Sequence, residues 1–276
     1  MMTPPVTPIP YFEEVGSGDI CVLMLHGIGG GRHAFAHQMQ PVAAAGYQAV
    51  AWDMPGYGHS ATIDPYTMET LADECLDLID VLAPMGEATT LVLVGHSMGG
   101  MVAQEVAARA PERIAAMVLA GTTAAFGKPE GAWQREFIAA RTAPLDAGMA
   151  MHELAKKLVA EMVAPGVDAT AIAEAVAVMA AVPPQTWRAA LAALVGFDRR
   201  TDLAALRIPT LVIAGRQDRN APPEVMEKMA ARIAGAQFVC LEDCGHLMNF
   251  EKPEAFNSTV LGFLERNLSN SFQRSP

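Results

Sequence analysis

Thr89-Thr90-Leu91-Val92-Leu93-Val94-Gly95-His96-Ser97-Met98-Gly99-Gly100-Met101-Val102-Ala103 is the stretch on which the reading of this chain turns. Residues 89–94 are β-branched or aliphatic without interruption, the length and composition of a strand buried on both faces in a parallel sheet. Residues 95–99 read Gly-x-Ser-x-Gly, and residues 100–109 are alanine-rich and free of proline, which predicts a helix. A serine at such a strand-to-helix turn must take a strained backbone conformation that lifts its hydroxyl clear of the sheet. Gly95 and Gly99 remove the side chains that would collide around it. The helix that follows aims its unpaired N–H groups at the same point. The pentapeptide alone is a common string; its setting makes it a nucleophile elbow.

Working outward, apolar runs alternate with helical patterns. Strands are predicted at 10–15, 20–25, 47–52, 114–120, 210–215 and 237–241, and helices at 34–45, from Thr67 or Glu69 to 82, 222–233 and 253–268. On the helix ending at 82, Leu71, Cys75, Leu78, Ile79 and Leu82 share one face. Such alternation implies a mostly parallel sheet covered on both faces, the α/β class. Between Thr122 and Arg200 the rhythm changes. No strand-like run occurs, and Pro144, Pro165-Gly166 and Pro183-Pro184 divide an alanine-rich stretch into about four helices. The expected organisation is a core of residues 1–121 and 201–276, with 122–200 inserted as a helical cap. Residues 1–10 read as a flexible lead-in and the end of the chain as a polar, disordered tail.

Composition narrows the function. The chain has 276 residues, 51% of them hydrophobic and 18% charged, as in a globular protein. A formal net charge of −11 argues against nucleic acid and anionic membranes as partners. No apolar run approaches the ~20 residues that cross a bilayer, and Met1–Pro10 lacks the order of a signal peptide. The four cysteines have no metal-ligand spacing; Cys21 and Cys240 read as small buried apolar residues. The expectations are a cytoplasmic protein acting on a small molecule without metal or organic cofactor, with room for a homo-oligomer.

A serine hydroxyl is a poor nucleophile until a base takes its proton. His246 follows the last predicted strand and Asp218 follows the strand at 210–215, so both fall on the strand-end edge that displays Ser97. His246 is the candidate base and Asp218 the group that orients it. Asp53 is a rival acid, but it precedes Pro55-Gly56-Tyr57-Gly58, where a carboxylate ties down a turn. Glu242 and Asp243 stand too near His246 in sequence. His96 is expected to pack or hydrogen-bond under the turn, His26 to be structural, and His33, His37, His59 and His152 to lie at the surface or behind the residues that touch substrate. The run His26-Gly27-Ile28-Gly29-Gly30-Gly31 lacks the ending of a phosphate loop and the spacing of a dinucleotide fingerprint. Its better use is an oxyanion hole, with the N–H groups of Ile28 (second choice Gly29) and Met98 as donors.

On these motifs the chain resembles the α/β-hydrolase superfamily from about residue 10 to 268. The resemblance rests on His26-Gly27, on Asp53-x-Pro-Gly-x-Gly-x-Ser60, on Gly95 to Gly100, on Gly215-Arg-Gln-Asp218 and on Gly245-His246. A narrower similarity, through Phe197–Leu203, Ile208–Gly215 and Ala221-Pro222-Pro223, is to 3-oxoadipate enol-lactonases and small esterases. The resemblance implies a serine hydrolase that cleaves a small carboxylic ester or lactone through an acyl-enzyme. An alternative with the same residues is a carbon–carbon bond hydrolase acting on a vinylogous diketone. A non-catalytic receptor on the same fold would be expected to lose one of Ser97, Asp218 or His246, and none is missing. Trp133 and Trp187 in the cap are weak candidates for lining the substrate pocket. Arg135, Arg141 or Arg188 could meet a substrate carboxylate, although each reads more simply as a solvated charge.

Overall fold

The computed structural model of the chain describes residues 9–86, 89–126 and 131–268. The lead-in up to residue 8 and the tail from residue 269 lie outside the described residues. Seven strands, among the described residues, form one sheet: β1 (Phe12–Val15), β2 (Ile20–Leu25), β3 (Gln48–Trp52), β4 (Thr90–His96), β5 (Ala116–Ala120), β6 (Thr210–Gly215) and β7 (Gln237–Leu241). Their spatial order is β1-β3-β2-β4-β5-β6-β7. β1 runs antiparallel to β3, with Phe12 opposite Trp52, and every other pairing is parallel. The runs that read as continuous hydrophobic strands are the central ones, and all residues of β2, β5 and β6 are buried. That is what burial on both faces requires.

Three α-helices lie between the first five strands: α1 (Ala36–Ala44), after a 3₁₀ turn at Arg32–Phe35, α2 (Met68–Leu82) and α3 (Met98–Arg109), with a second 3₁₀ turn at Pro111–Arg113. The α2 start is set by Thr67, whose hydroxyl accepts from the Thr70 N–H while the Thr70 hydroxyl accepts from the Thr67 N–H. Leu71, Cys75, Leu78 and Ile79 form its buried face. Beyond β5 come α4 (Ala132–Asp146), α5 (Met151–Met162), α6 (Ala169–Ala180) and α7 (Pro184–Val195). α8 (Pro223–Ala230) joins β6 to β7, and α9 (Met248–Glu251) and α10 (Pro253–Leu268) follow β7. Among the described residues no helix is long and apolar enough to cross a membrane.

The α4–α7 segment leaves and rejoins the sheet at one point. Ala125 bridges Asp198 antiparallel, Phe126 N–H donates to Phe197 O at 3.0 Å, and Arg199 N–H donates to Ala124 O at 2.8 Å. Across this closure Arg199 Nε donates to Glu105 on α3 at 2.6 Å. Pro144 does not divide the segment as expected; it sits inside α4. A proline in the last turn of a helix forfeits a single bond, and the chain turns instead at Gly148, whose φ of +87° suits glycine. α8 ends three residues before the predicted 233, and Cys240 is half-buried rather than buried.

Candidate active site

The turn between β4 and α3 has the strain its sequence requires. Ser97 has φ +52° and ψ −117°, a region L-residues rarely enter, which costs on the order of 1–3 kcal/mol unless neighbours enforce it. They do: Ser97 N–H donates to Ala120 O at 2.9 Å and the Thr122 hydroxyl donates to Ser97 O at 2.7 Å. The flanking glycines are obligatory. A Cβ on Gly99 would stand 2.0 Å from Leu25 O, and one on Gly95 would stand 2.5 Å from Gly99 O. Both clashes are with backbone, which cannot swing away.

The strand ends bring Ser97, His246 and Asp218 together. His246 Nε2 lies 3.1 Å from Ser97 Oγ, and His246 Nδ1 lies 2.8 Å from Asp218 Oδ2. With a carboxylate on Nδ1, that nitrogen carries the hydrogen, so Nε2 accepts from the serine hydroxyl. Asp218 and His246 are buried, and Ser97 is half-buried. Burial by itself raises the Asp218 pKa. The His246 charge and hydrogen bond, with the Ala221 and Asn220 N–H groups at 3.0 and 2.8 Å, outweigh it and hold the carboxyl below its usual range. Burial likewise lowers the His246 pKa, but the Asp218 carboxylate and the more distant Glu251 bring it above the ordinary histidine value of 6.5.

The loop that carries His246 is held by groups whose role the sequence does not announce. Glu251 on α9 accepts three backbone N–H groups, from Ala164 and Gly245 on Oε2 at 2.8 Å each and from Leu247 on Oε1 at 2.9 Å. His246 N–H donates to Met162 O at 2.7 Å, and the Gln217 side chain accepts from Cys244 N–H at 2.8 Å. His96 lies under the turn: its Nε2–H donates to the His246 carbonyl at 2.8 Å, and burial drives its pKa down to about 3. Glu251 precedes Pro253 by two residues and carries no motif. The signal that identifies it is spatial, a carboxylate brought among three unpaired donors.

Ile28 and Met98 both flank the serine. Met98 opens α3, so its N–H has no acceptor within the helix. Ile28 borders the cavity into which Ser97 opens, on a loop that passes close above the turn: a Cβ on Gly27 would be 2.9 Å from Ser97 Cβ. The orientation of the Gly27–Ile28 peptide is set by its oxygen. Met54 N–H donates to His26 Nε2 at 2.9 Å, which leaves the hydrogen on Nδ1 to donate to Gly27 O at 2.8 Å, and Gly30 N–H donates to the same oxygen at 2.9 Å. In a trans peptide the N–H points opposite the C=O, so anchoring Gly27 O aims the Ile28 N–H. His26 is fully buried, and burial lowers its pKa to about 4, so it remains neutral in this role.

The serine and histidine open into a cavity of about 420 Å³ bounded by Ile28, Trp133, Phe137, Arg141 and Trp187. Trp187 is buried, and its indole N–H donates to Arg141 O at 3.3 Å; Trp133 is 55% exposed and stands at the rim. Arg188 pairs instead with Asp146 at 2.6 Å. The rival acids are elsewhere: Asp53 accepts Arg32 N–H at 2.9 Å and Arg32 Nη1 at 2.7 Å, and Glu242 pairs with exposed Arg216. On the other side of Ser97 a small void of about 30 Å³ is lined by Gly29 and Met179, and it shares Gly30 and Phe250 with a second cavity of about 460 Å³ that Asp53 also lines. The arrangement is chemically able to move a proton from Ser97 Oγ to His246 and to set two backbone donors near an oxygen bound at the serine.

A sequence model of the alpha/beta hydrolase family matches residues 22–259. A 2-hydroxymuconate semialdehyde hydrolase from Pseudomonas sp. (strain CF600) is 30% identical over 257 residues, covering 88% of this chain and 86% of that one. A thermophilic esterase from Thermogutta terrifontis, solved with malate bound, superposes with a TM-score of 0.83 at 29% identity, covering 93% of each chain. An enol-lactonase from Burkholderia xenovorans LB400 gives a TM-score of 0.80 at 26% identity, covering 92% of this chain and 95% of that one.

Proposed function

Because the chain belongs to the alpha/beta hydrolase family, we propose that it cleaves a small carboxylic ester or lactone through a covalent acyl-enzyme on Ser97. The observation that carries this reading is the hydrogen-bonded relay from Ser97 Oγ through His246 to Asp218 at 3.1 and 2.8 Å. Ser97 Oγ attacks the carbonyl carbon as its proton passes to His246 Nε2. The resulting oxyanion rests on the N–H groups of Ile28 and Met98. Collapse breaks the C–O bond, and the imidazolium returns its proton to the departing oxygen. Water then attacks the acyl-enzyme with the same histidine as base, releasing the acid and restoring Ser97. Asp218 orients the imidazole and stabilises its transient charge.

In this reading residues 122–200 act as the cap and supply one wall of the cavity, with Trp133 and Trp187 in contact with substrate. The hydrolase scaffold handles a small molecule, and its four unpaired cysteines support a cytoplasmic setting. A second reading, hydrolysis of a carbon–carbon bond in a vinylogous diketone by the same three side chains, is favoured by the 30% identical semialdehyde hydrolase.

The deciding experiment is release of p-nitrophenol from the acetate and butyrate esters by the wild type and by Ser97→Ala. A working nucleophile predicts a fall of several orders of magnitude in kcat for the variant. Equal release by both proteins would sink the acyl-enzyme. A panel of lactones and diketones, read by product identity, then separates the two bond types.

A further inference from the structure

Arg141 lies on α4 and lines the cavity that Ser97 and His246 share. Its main chain is fixed by the buried Trp187, and its guanidinium lies over the Phe137 ring with Cζ 3.5 Å from the centroid. Phe137 is itself braced by Phe126, edge-on at 4.8 Å, and by the tilted ring of Trp133 at 5.4 Å. Stacking of this kind holds a planar guanidinium in place and leaves its in-plane N–H donors for another group. The protein occupies those donors poorly. Arg141 Nη1 reaches only the Phe137 carbonyl, at 3.5 Å, and among the described residues no carboxylate is within ion-pair distance. The contrast with Arg188, Arg199 and Arg216, each paired with an acid, is plain.

Partial burial lowers the Arg141 pKa, the charge of Glu161 on α5 working against that, and a guanidinium remains charged throughout the working range. A partly desolvated cation with unfilled donors favours any anion that can reach it. The other arginine and glutamate side chains lining the cavity, Glu136 and Arg219, are exposed and opposite in sign, which leaves Arg141 as the half-buried one of the three. In a chain of formal net charge −11, Arg141 is thus a cation held beside the serine with donors to spare.

We propose that Arg141 binds a carboxylate at the end of the substrate remote from the scissile carbonyl, so that the ester or lactone cleaved at Ser97 is an anionic one. The inference rests on the acyl-transfer reading above. The fork of the guanidinium receives a carboxylate through two parallel hydrogen bonds, and the wall of Phe137, Trp133 and Trp187 faces the apolar part between the two ends. A cavity of about 420 Å³ suits a ligand of this size.

The test compares 4-nitrophenyl hydrogen glutarate with its neutral methyl ester. The wild type should prefer the anionic ester about 10- to 100-fold in kcat/KM, carried by KM, the range expected of a hydrogen bond to a charged group. Arg141→Gln should abolish the preference while the neutral ester changes far less. Arg141→Lys should restore part of it, since it keeps the charge without the fork. Arg188→Gln, at a cation already paired with Asp146, should retain the preference. A wild type without preference, or an Arg141→Gln variant that loses both esters alike, would overturn the proposal. A second measurement separates this from the chemistry: glutarate titrated onto Ser97→Ala, followed by tryptophan fluorescence. Saturable binding weakened at least about tenfold by adding Arg141→Gln supports the anion site even if neither ester is hydrolysed, in which case the acyl-transfer reading fails alone. Glutarate that does not bind, or binds equally without Arg141, overturns the proposal whatever the esters do.

Discussion

At the residue scale the site is a problem in keeping one imidazole neutral, oriented and basic. Asp218 and Glu251 raise the His246 pKa against the pull of burial, so its folded value stands above 6.5. Nucleophile activation needs the neutral form. The expected consequence is that kcat/KM for a p-nitrophenyl ester falls as pH drops through a midpoint above 6.5, and is level at higher pH until another group titrates. Asp218→Asn removes the largest upward influence and leaves burial in place, so that midpoint should move down while kcat falls on the order of 10⁴-fold. A pH–rate profile of both proteins checks the sign. A midpoint that stays put in Asp218→Asn would mean that Asp218 does not govern this histidine.

At the element scale, what matters is how separate segments are made to meet. Glu251 on α9 grips the segment just after α5 through Ala164 and the His246 loop through Gly245 and Leu247. Glu251→Gln keeps one acceptor oxygen and turns an amide donor toward N–H groups that are themselves donors. It should cost about 2 kcal/mol in unfolding free energy. Because the same contacts place His246, kcat should also fall with little change in KM. Urea denaturation and steady-state kinetics on the one variant read both effects, and unchanged kcat would refute the positioning role. The sequence shows these elements well and their mutual grip hardly at all. β4, the Gly95–Gly99 turn and α3 are legible because local patterning and close backbone approach act within a dozen residues. Glu251 is not, because its partners lie up to 87 residues away in the chain.

On the scale of the whole molecule, the segment carrying α4–α7 is fastened where it joins the sheet. Arg199, on the returning stem, meets Glu105 on α3, the helix that begins immediately after Ser97. Glu105 is almost completely buried, and the Arg199 guanidinium supports its charge. Arg199→Ala leaves that carboxylate without its cation and should destabilise the protein by about 3 kcal/mol at neutral pH. The loss is measurable as a lower urea midpoint with unchanged m, and a variant as stable as wild type would show that this fastening is dispensable.

The sequence by itself determined the sheet, its mostly parallel sense, the helical insertion after β5 and the candidates Ser97, Asp218 and His246. All of these follow from local periodicity, turn chemistry and the rule that parallel strands present their ends on one edge. Tertiary structure alone decided the distances among those three side chains, the grip of Glu251, the pinning of Gly27 O by His26 and Gly30, and the surroundings of Arg141. Sequence patterning reports which way a residue faces within its own element. Whether a cation such as Arg141 meets an acid, as Arg188 does, or is left with open donors beside the serine depends on which surfaces pack together across the fold.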